Sequence, residues 1–329
     1  MRIAVMGSGG LGGYFGAMLA RGGADVSFIA RGSHLEAIQQ DGLRVIGGPD
    51  PFHLNHVRAT DEPDDIGPVD LVMVCVKLWD TGDALRVMRP LVGPATSLVS
   101  FQNGVSKDTY LRAAYNEARL IGGVAYVATT VSQPGVITQT GSLKRLVVGE
   151  LDGRRSPRVE AFLSACVAGG IDAEVSDEIR RETWQKFVFL VGLSATTTTM
   201  RLPIGPIRKN PQARALLLDL MREVVAVGRA YGTPLPDDYA EQCLAFADEV
   251  SPDMTSSMHH DLEHGNRLEV EWLSGSVVEL GHEVAIETPL NRAVADILAV
   301  HADGRATKGS LASKAQSVQA RRASHVGRA

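Results

Sequence analysis

Short apolar, β-branched runs alternate with helical segments from residue 1 to about 178: "RIAVMG", "YFGAMLARGG", "DVSFIAR", "VDLVMVCVK", "ATSLVSF" and "RLIGGVAYVAT". Strand and helix in alternation predict a mostly parallel sheet covered by helices on both faces. Two segments, "GLRVIGGPDPFHLNHVRAT" and "GVITQTGSLKRLVVGE", are punctuated by Gly and Pro between short extended runs and read as hairpin-like antiparallel additions. After residue 178 the apolar positions take helical spacing in "DEIRRETWQKFVFLVGLSATTTTM", "PQARALLLDLMREVVAVGRAYG", "DDYAEQCLAFADEV", "RLEVEWLSGSVVELGHE" and "TPLNRAVADILAVHAD". The pattern therefore predicts an α/β domain over 1–178, an all-α domain over 179–304 and, from 305 to 329, a Ser-, Ala- and Arg-rich flexible tail.

With 329 residues, 44% apolar and 22% charged, the chain is long enough for two cores. A net charge of −5 provides no global basic field, so nucleic acid and anionic membrane surfaces are not expected as partners. No apolar run is long enough to span a membrane, and the glycine-rich N-terminus does not resemble a secretory signal. Cys75, Cys166 and Cys243 are odd in number and far apart, which argues against a disulfide framework or a zinc site. The expected setting is cytoplasmic.

The first chemistry lies in "GSGGLG", residues Gly7, Ser8, Gly9, Gly10, Leu11 and Gly12, directly after an apolar run and opening a helix. In that context the first glycine permits a tight turn, the second lets backbone amides approach a pyrophosphate, and the third lets helix and strand pack closely. The anion would sit on the partial positive charge of the helix N-terminus. This makes the first domain a Rossmann-type dinucleotide-binding unit. After the second strand, where an NAD-binding chain carries an acidic residue, stands Arg31, and Lys77 ends the next long strand. Two cations there suit the 2′-phosphate of NADP. The plainer alternative, a solvated charge at a strand end, is the less favoured one. Asn103 in "SFQNGV" follows another strand at the sheet edge where ligands collect, although Asn-Gly is also an ordinary turn signal.

Lys186 in "ETWQKFVFLVGLSATTTTM" precedes an apolar stretch in which the next charge is Arg201. Lysine is seldom fully buried unless paired, because burial strips hydration from its ammonium. Together, "GSGGLG", the "AR" after the second strand, "VK" after "VDLVMVC", "QNG", "WQKF" and "SSMHHDLEHGNRLEVEWLSG" resemble the ketopantoate reductase (2-dehydropantoate 2-reductase) family over nearly the whole chain. The resemblance implies an active site between a Rossmann-type and a helical domain, and hydride transfer from NADPH to the ketone of 2-dehydropantoate, giving pantoate. It implies Lys186 as proton donor and Glu269 as organiser of lysine, substrate and ribose. Ser257 would bind the substrate carboxylate, and Asn103 would touch cofactor and substrate. A positioned cation that also donates a proton serves the charge developing on a reduced ketone oxygen.

The chain departs from the family pattern on the lysine's helix: Leu190 and Ser194 stand where two asparagines are expected, so one hydrogen-bonding contact is absent and Ser194 is a shorter substitute. Asn266 stands where family members often carry arginine, with Arg267 following. His260, His264 and Glu263 have a spacing that can bind a metal, but polar residues at an exposed helix end explain them more simply, and no metal is expected. Trp184 and Trp272 are read as packing residues, and the "ATTTT" run as a helix end, a cleft-facing segment or methyl packing. The partner is expected to be a small 2-oxo acid, and a homodimer is one compatible assembly. A related reductase of another oxo acid and a non-catalytic dinucleotide sensor remain as alternatives; a sensor needs none of Lys186, Glu269 or Ser257.

Overall fold

The computed structural model describes residues 1–305, so the expectation for the tail lies, beyond Arg305, outside the described residues. The first half runs β1 (Arg2–Met6), α1 (Gly10–Arg21), β2 (Asp25–Ile29), α2 (Gly32–Asp41), β3 (Leu43–Gly47), β4 (Phe52–Leu54), β5 (Arg58–Thr60), β6 (Leu71–Val74), α3 (Thr81–Val87), β7 (Ser97–Ser100), α4 (Lys107–Ala114), β8 (Leu120–Gln133), β9 (Val136–Glu150), α5 (Pro157–Ala168) and β10 (Asp172–Val175). The second half is helical: α6 (Ile179–Met200), α7 (Ile204–Lys209), α8 (Pro211–Ala230), α9 (Tyr239–Glu249), α10 (Ser257–His264), α11 (Ser274–Glu283) and α12 (Pro289–Leu298). An α/β Rossmann-like domain is thus followed by a helical one. Packing divides the chain into one compact unit of Met1–Phe187 with Tyr231–Leu235, and a second formed by the other described residues, the division falling within α6.

In the first unit the described strands form a ten-stranded sheet in the order β4-β3-β9-β8-β7-β6-β1-β2-β5, with β10 beside β9. The stretch β5-β2-β1-β6-β7-β8 is parallel throughout. Strand periodicity divides the side chains: Ile3, Val5, Leu71 and Met73 pack with Phe15 of α1, Leu35 of α2 and Phe162 of α5. Ala4, Met6, Val72 and Val74 face the other way, onto Leu85 of α3 and Leu111 of α4. Both faces of the central strands are therefore buried, which is why they read as continuous apolar runs.

The two punctuated segments differ from the hairpins expected. β3 and β4 do pair antiparallel, but β5 leaves them to extend the parallel sheet beside β2. "GVITQTGSLKRLVVGE" is one long strand, β9, antiparallel to β8. Its internal glycine, Gly141, is in the left-handed region (φ +73), and Gln139 and Lys144 oppose Thr129 and Val127. The glycine read as a turn is the kink of a bulge; the true turn is at Gly135 (φ +73).

In the helical unit α8 presents Leu217, Leu220, Met221, Val224 and Val225 to its core, and Gly192 of α6 lets Met221 and Leu217 approach. The threonine run lies inside α6: Thr196, Thr197 and Thr199 donate to the carbonyls of Gly192, Leu193 and Ala195, one turn back. That local bonding is how threonine is accommodated in a buried helix. Among the described residues no helix is long and apolar enough to cross a membrane.

Candidate active site

Three strand ends adjoin at the point where the strand order reverses, with β1 between β2 and β6. The glycine loop follows β1. Gly7 adopts φ +100, and a Cβ on Gly12 would lie 2.1 Å from Gly7 O and 2.8 Å from Cys75 Cβ, so neither position tolerates a side chain. Above Gly9, in contrast, nothing lies within 4 Å of a built Cβ, which leaves open space for a ligand to approach the backbone. Ser8 donates both its amide and its hydroxyl to Ile29 O, each at 3.0 Å, and so braces the loop against β2. The first helical bond is Gly13 N–H to Gly9 O, so the amides of Gly10, Leu11 and Gly12 open the helix without intrahelical acceptors. The residues fit a dinucleotide pyrophosphate.

Arg31 caps α2 at the end of β2 with 76% of its side chain exposed, and its guanidinium lies 3.7 Å from Asp80. Lys77 follows β6, with Nζ 5.5 Å from the Trp79 ring centre. β2 and β6 flank β1, so both cations lie at the carboxyl edge, on either side of the glycine loop. His34, which sequence reasoning did not single out, joins the loop to the β8–β9 turn. Gly135 N–H donates to its Nδ1 at 3.0 Å, and the opposite ring nitrogen lies 2.8 Å from Ser8 O. These partners assign Nδ1 as acceptor and Nε2–H as donor.

Lys186 lies on the third turn of α6, half-buried. Its ammonium donates to Asn103 Oδ1 at 2.8 Å and to Ala125 O at 2.7 Å, and lies 5.7 Å from the Tyr126 ring centre. The Asn-Gly after β7 is thus a turn, with Gly104 at φ +87, whose asparagine side chain is turned to the lysine. Ala125 O, a strand carbonyl, carries no sequence signal. Trp184, two residues earlier, packs edge-on to Phe187 and against Tyr231.

The remaining predicted residues belong to the helical unit. Ser194 is 1% exposed, and its hydroxyl has no partner among the described residues. Ser257 is the exposed first residue of α10, whose N-terminus Ser256 caps by accepting from His259 N–H. Thr197 ties α6 to that terminus: its hydroxyl lies 3.1 Å from Ser256 Oγ, and His259 Nδ1 lies 2.8 Å from Thr197 O. Glu269 is 6% exposed and precedes a 3-10 turn, Val270–Trp272. Asn266 donates to Asp261, and the Arg267 guanidinium lies 5.7 Å from the Trp272 ring centre. His260 Nε2 is 2.9 Å from Thr255 Oγ1, and His264 Nδ1 is 2.8 Å from His260 O, the bonds of an ordinary helix end.

Most of the described chain is similar to known proteins. Residues 3–153 match the family "Ketopantoate reductase PanE/ApbA", and residues 178–302 match its C-terminal domain family. The chain belongs to the ketopantoate reductase family. A 2-dehydropantoate 2-reductase of Mesorhizobium japonicum is 34% identical over 315 residues, covering 89% of this chain and 95% of the relative. The solved 2-dehydropantoate 2-reductase of Geobacter metallireducens superposes with a TM-score of 0.85 at 31% identity, covering 91% of this chain and 99% of that one. A PanE/ApbA family ketopantoate reductase from Ralstonia eutropha gives 0.83 at 32% identity, covering 92% and 98%. Membership of the ketopantoate reductase family makes this chain an oxidoreductase acting on CH–OH groups.

Proposed function

We propose that this ketopantoate reductase family member reduces 2-dehydropantoate to pantoate with NADPH, supplying pantothenate and coenzyme A synthesis, with Lys186 as proton donor. The observation that carries the reading is the Lys186 ammonium held between Asn103 Oδ1 and Ala125 O. Two fixed acceptors orient a cation on a flexible stem, and an oriented cation stabilises the oxyanion that develops when a ketone is reduced. When bound, NADPH supplies the hydride. The helix start at Gly10, Leu11 and Gly12 would hold its pyrophosphate, and Arg31 and Lys77 its 2′-phosphate. Ser257, exposed at the start of α10, suits the substrate carboxylate. Glu269 would organise lysine and substrate, whereas the Ser194 hydroxyl, expected from the sequence to meet substrate, is buried away from any approaching molecule. The partners are small molecules rather than nucleic acid or membrane. The setting is cytoplasmic, in keeping with three free thiols.

A second reading, reduction of another 2-oxo acid or ketone, is favoured by Leu190, half-buried one turn beyond Lys186 and unable to hydrogen-bond. NADPH oxidation across a panel of 2-oxo acids separates the two: turnover of another ketone without turnover of 2-dehydropantoate rejects the first. NADPH binding with no turnover of any panel member would leave only a dinucleotide sensor. In the active enzyme, Lys186→Ala is expected to lower kcat by about 100-fold or more, the range of lost acid catalysis, while NADPH affinity stays within about twofold.

A further inference from the structure

Next to Asn103, whose side chain accepts from Lys186, lies a glutamine to which the reaction as read above gives no role. Gln102 follows β7 by two residues and is 6% exposed. Its Nε2 donates to Val76 O at 2.9 Å and to Thr81 Oγ1 at 2.8 Å, and its Oε1 accepts from Ser100 Oγ at 3.0 Å. Its own backbone N–H returns to Ser100 Oγ at 3.2 Å. A carboxamide offers two donor hydrogens and one acceptor oxygen, so each polar atom of this side chain is engaged. The partners are themselves buried, Ser100 at 0% and Thr81 at 1%.

Those partners come from three places: the end of β7, the residue before Lys77, and the first residue of α3. Lys107 ties the same strand end to β8, donating to Ser100 O at 3.2 Å and to Gly123 O. A surface Asn-Gly turn needs none of this, and burying a carboxamide is costly unless its partners are placed for it. The consequence is a backbone fixed one residue before Asn103, whose side chain accepts from Lys186.

We infer that Gln102 is a positioning residue, which holds the Asn103 carboxamide, and through it the Lys186 ammonium, in one frame with the segment carrying Lys77. The kinetic part of this inference rests on the reductase reading; the geometric part does not. A misplacement of about 1 Å at a group orienting the reacting centre lowers turnover by about 100-fold, whereas a merely structural glutamine would affect melting alone.

The test compares Gln102→Met, which keeps the length and removes the hydrogen bonds, with Asn103→Ala and the double variant. kcat is measured on whichever oxo acid the wild type reduces. Lys186 is also labelled with an amine-reactive reagent in the absence of substrate and read by mass spectrometry. Gln102→Met is expected to lower kcat about 10- to 100-fold with a smaller change in KM, and to add little in the Asn103→Ala background. Lys186 labelling is expected to accelerate in both single variants. Unchanged kcat and labelling with a lowered melting temperature would overturn the inference, as would effects on kcat that multiply in the double variant. Should Gln102→Met not fold, Thr81→Val removes one acceptor and is expected to move both readouts in the same direction by less. A wild type that reduces no ketone would sink the reductase reading, and the labelling comparison would still decide the role of Gln102.

Discussion

At the scale of single residues, the carboxyl edge of the sheet is built from groups braced by one another. Arg31 meets Asp80 at 3.7 Å on a largely exposed surface, an ion pair worth little by itself but one that the proposed 2′-phosphate would have to displace. Arg31→Asp is therefore expected to lower the preference for NADPH over NADH by about tenfold, and Asp80→Asn to raise it; an unchanged ratio in initial-rate assays would remove Arg31 from the 2′-phosphate site. His34 holds Ser8 O with one nitrogen and Gly135 N–H with the other. His34→Ala should weaken NADPH binding about 5- to 30-fold with kcat little changed, the range for one or two lost hydrogen bonds. His34→Gln, which keeps one donor and one acceptor, should recover part of that loss in fluorescence titration. The sequence made Arg31 legible because an acid is expected there, but His34 has no such signature: its partners lie 26 and 101 residues away.

At the scale of elements, β9 and α5 are joined by a buried charge. Glu150, its side chain 5% exposed, accepts from Ser156 and, through both oxygens, from Arg158, which also donates to the carbonyls of Ala118 and Leu120. Desolvation pushes the Glu150 carboxyl up, but the hydrogen bonds from Arg158 and Ser156, with the charges of Arg158 and Arg154, outweigh it and hold the carboxyl below its ordinary value. A carboxylate depressed in the folded state stabilises the fold above its unfolded-state value. That contribution is lost as pH falls through the folded one, because the unfolded chain then binds more protons. Glu150→Gln should cost about 1–3 kcal/mol at neutral pH and flatten the acid limb of a melting-temperature profile measured from pH 7 to 3. An acid limb as steep as that of the wild type would show that other carboxylates govern it. The strands themselves were legible wherever both faces are buried, as in β1, β6 and β7. The misreading of "GVITQTGSLKRLVVGE" came from Gly141, because a glycine in the left-handed region serves a bulge as well as a turn.

For the molecule as a whole, packing into two compact units makes a single two-state transition an unsafe expectation, and ligand linkage shows which transition involves the cofactor. NADPH at about 100 times its Kd should stabilise the unit that binds it by about 2.7 kcal/mol and raise its transition in a calorimetric scan, with NADH at equal concentration raising it less. Equal shifts would contradict the 2′-phosphate assignment.

The sequence by itself determined the two kinds of secondary structure, the glycine loop and the family, since these rest on local periodicity and on residues whose spacing along the chain is the signal. It also named Lys186 and Asn103 separately. Only tertiary structure decided that they are bonded, 83 residues apart, with a strand carbonyl as the lysine's second acceptor. It likewise decided that Gln102 is buried in a fully engaged polar cluster. Hydrogen-bond partners are set by which strand ends adjoin in the sheet, and that order, β7 beside β6 and β6 beside β1, is written in no single stretch of the chain.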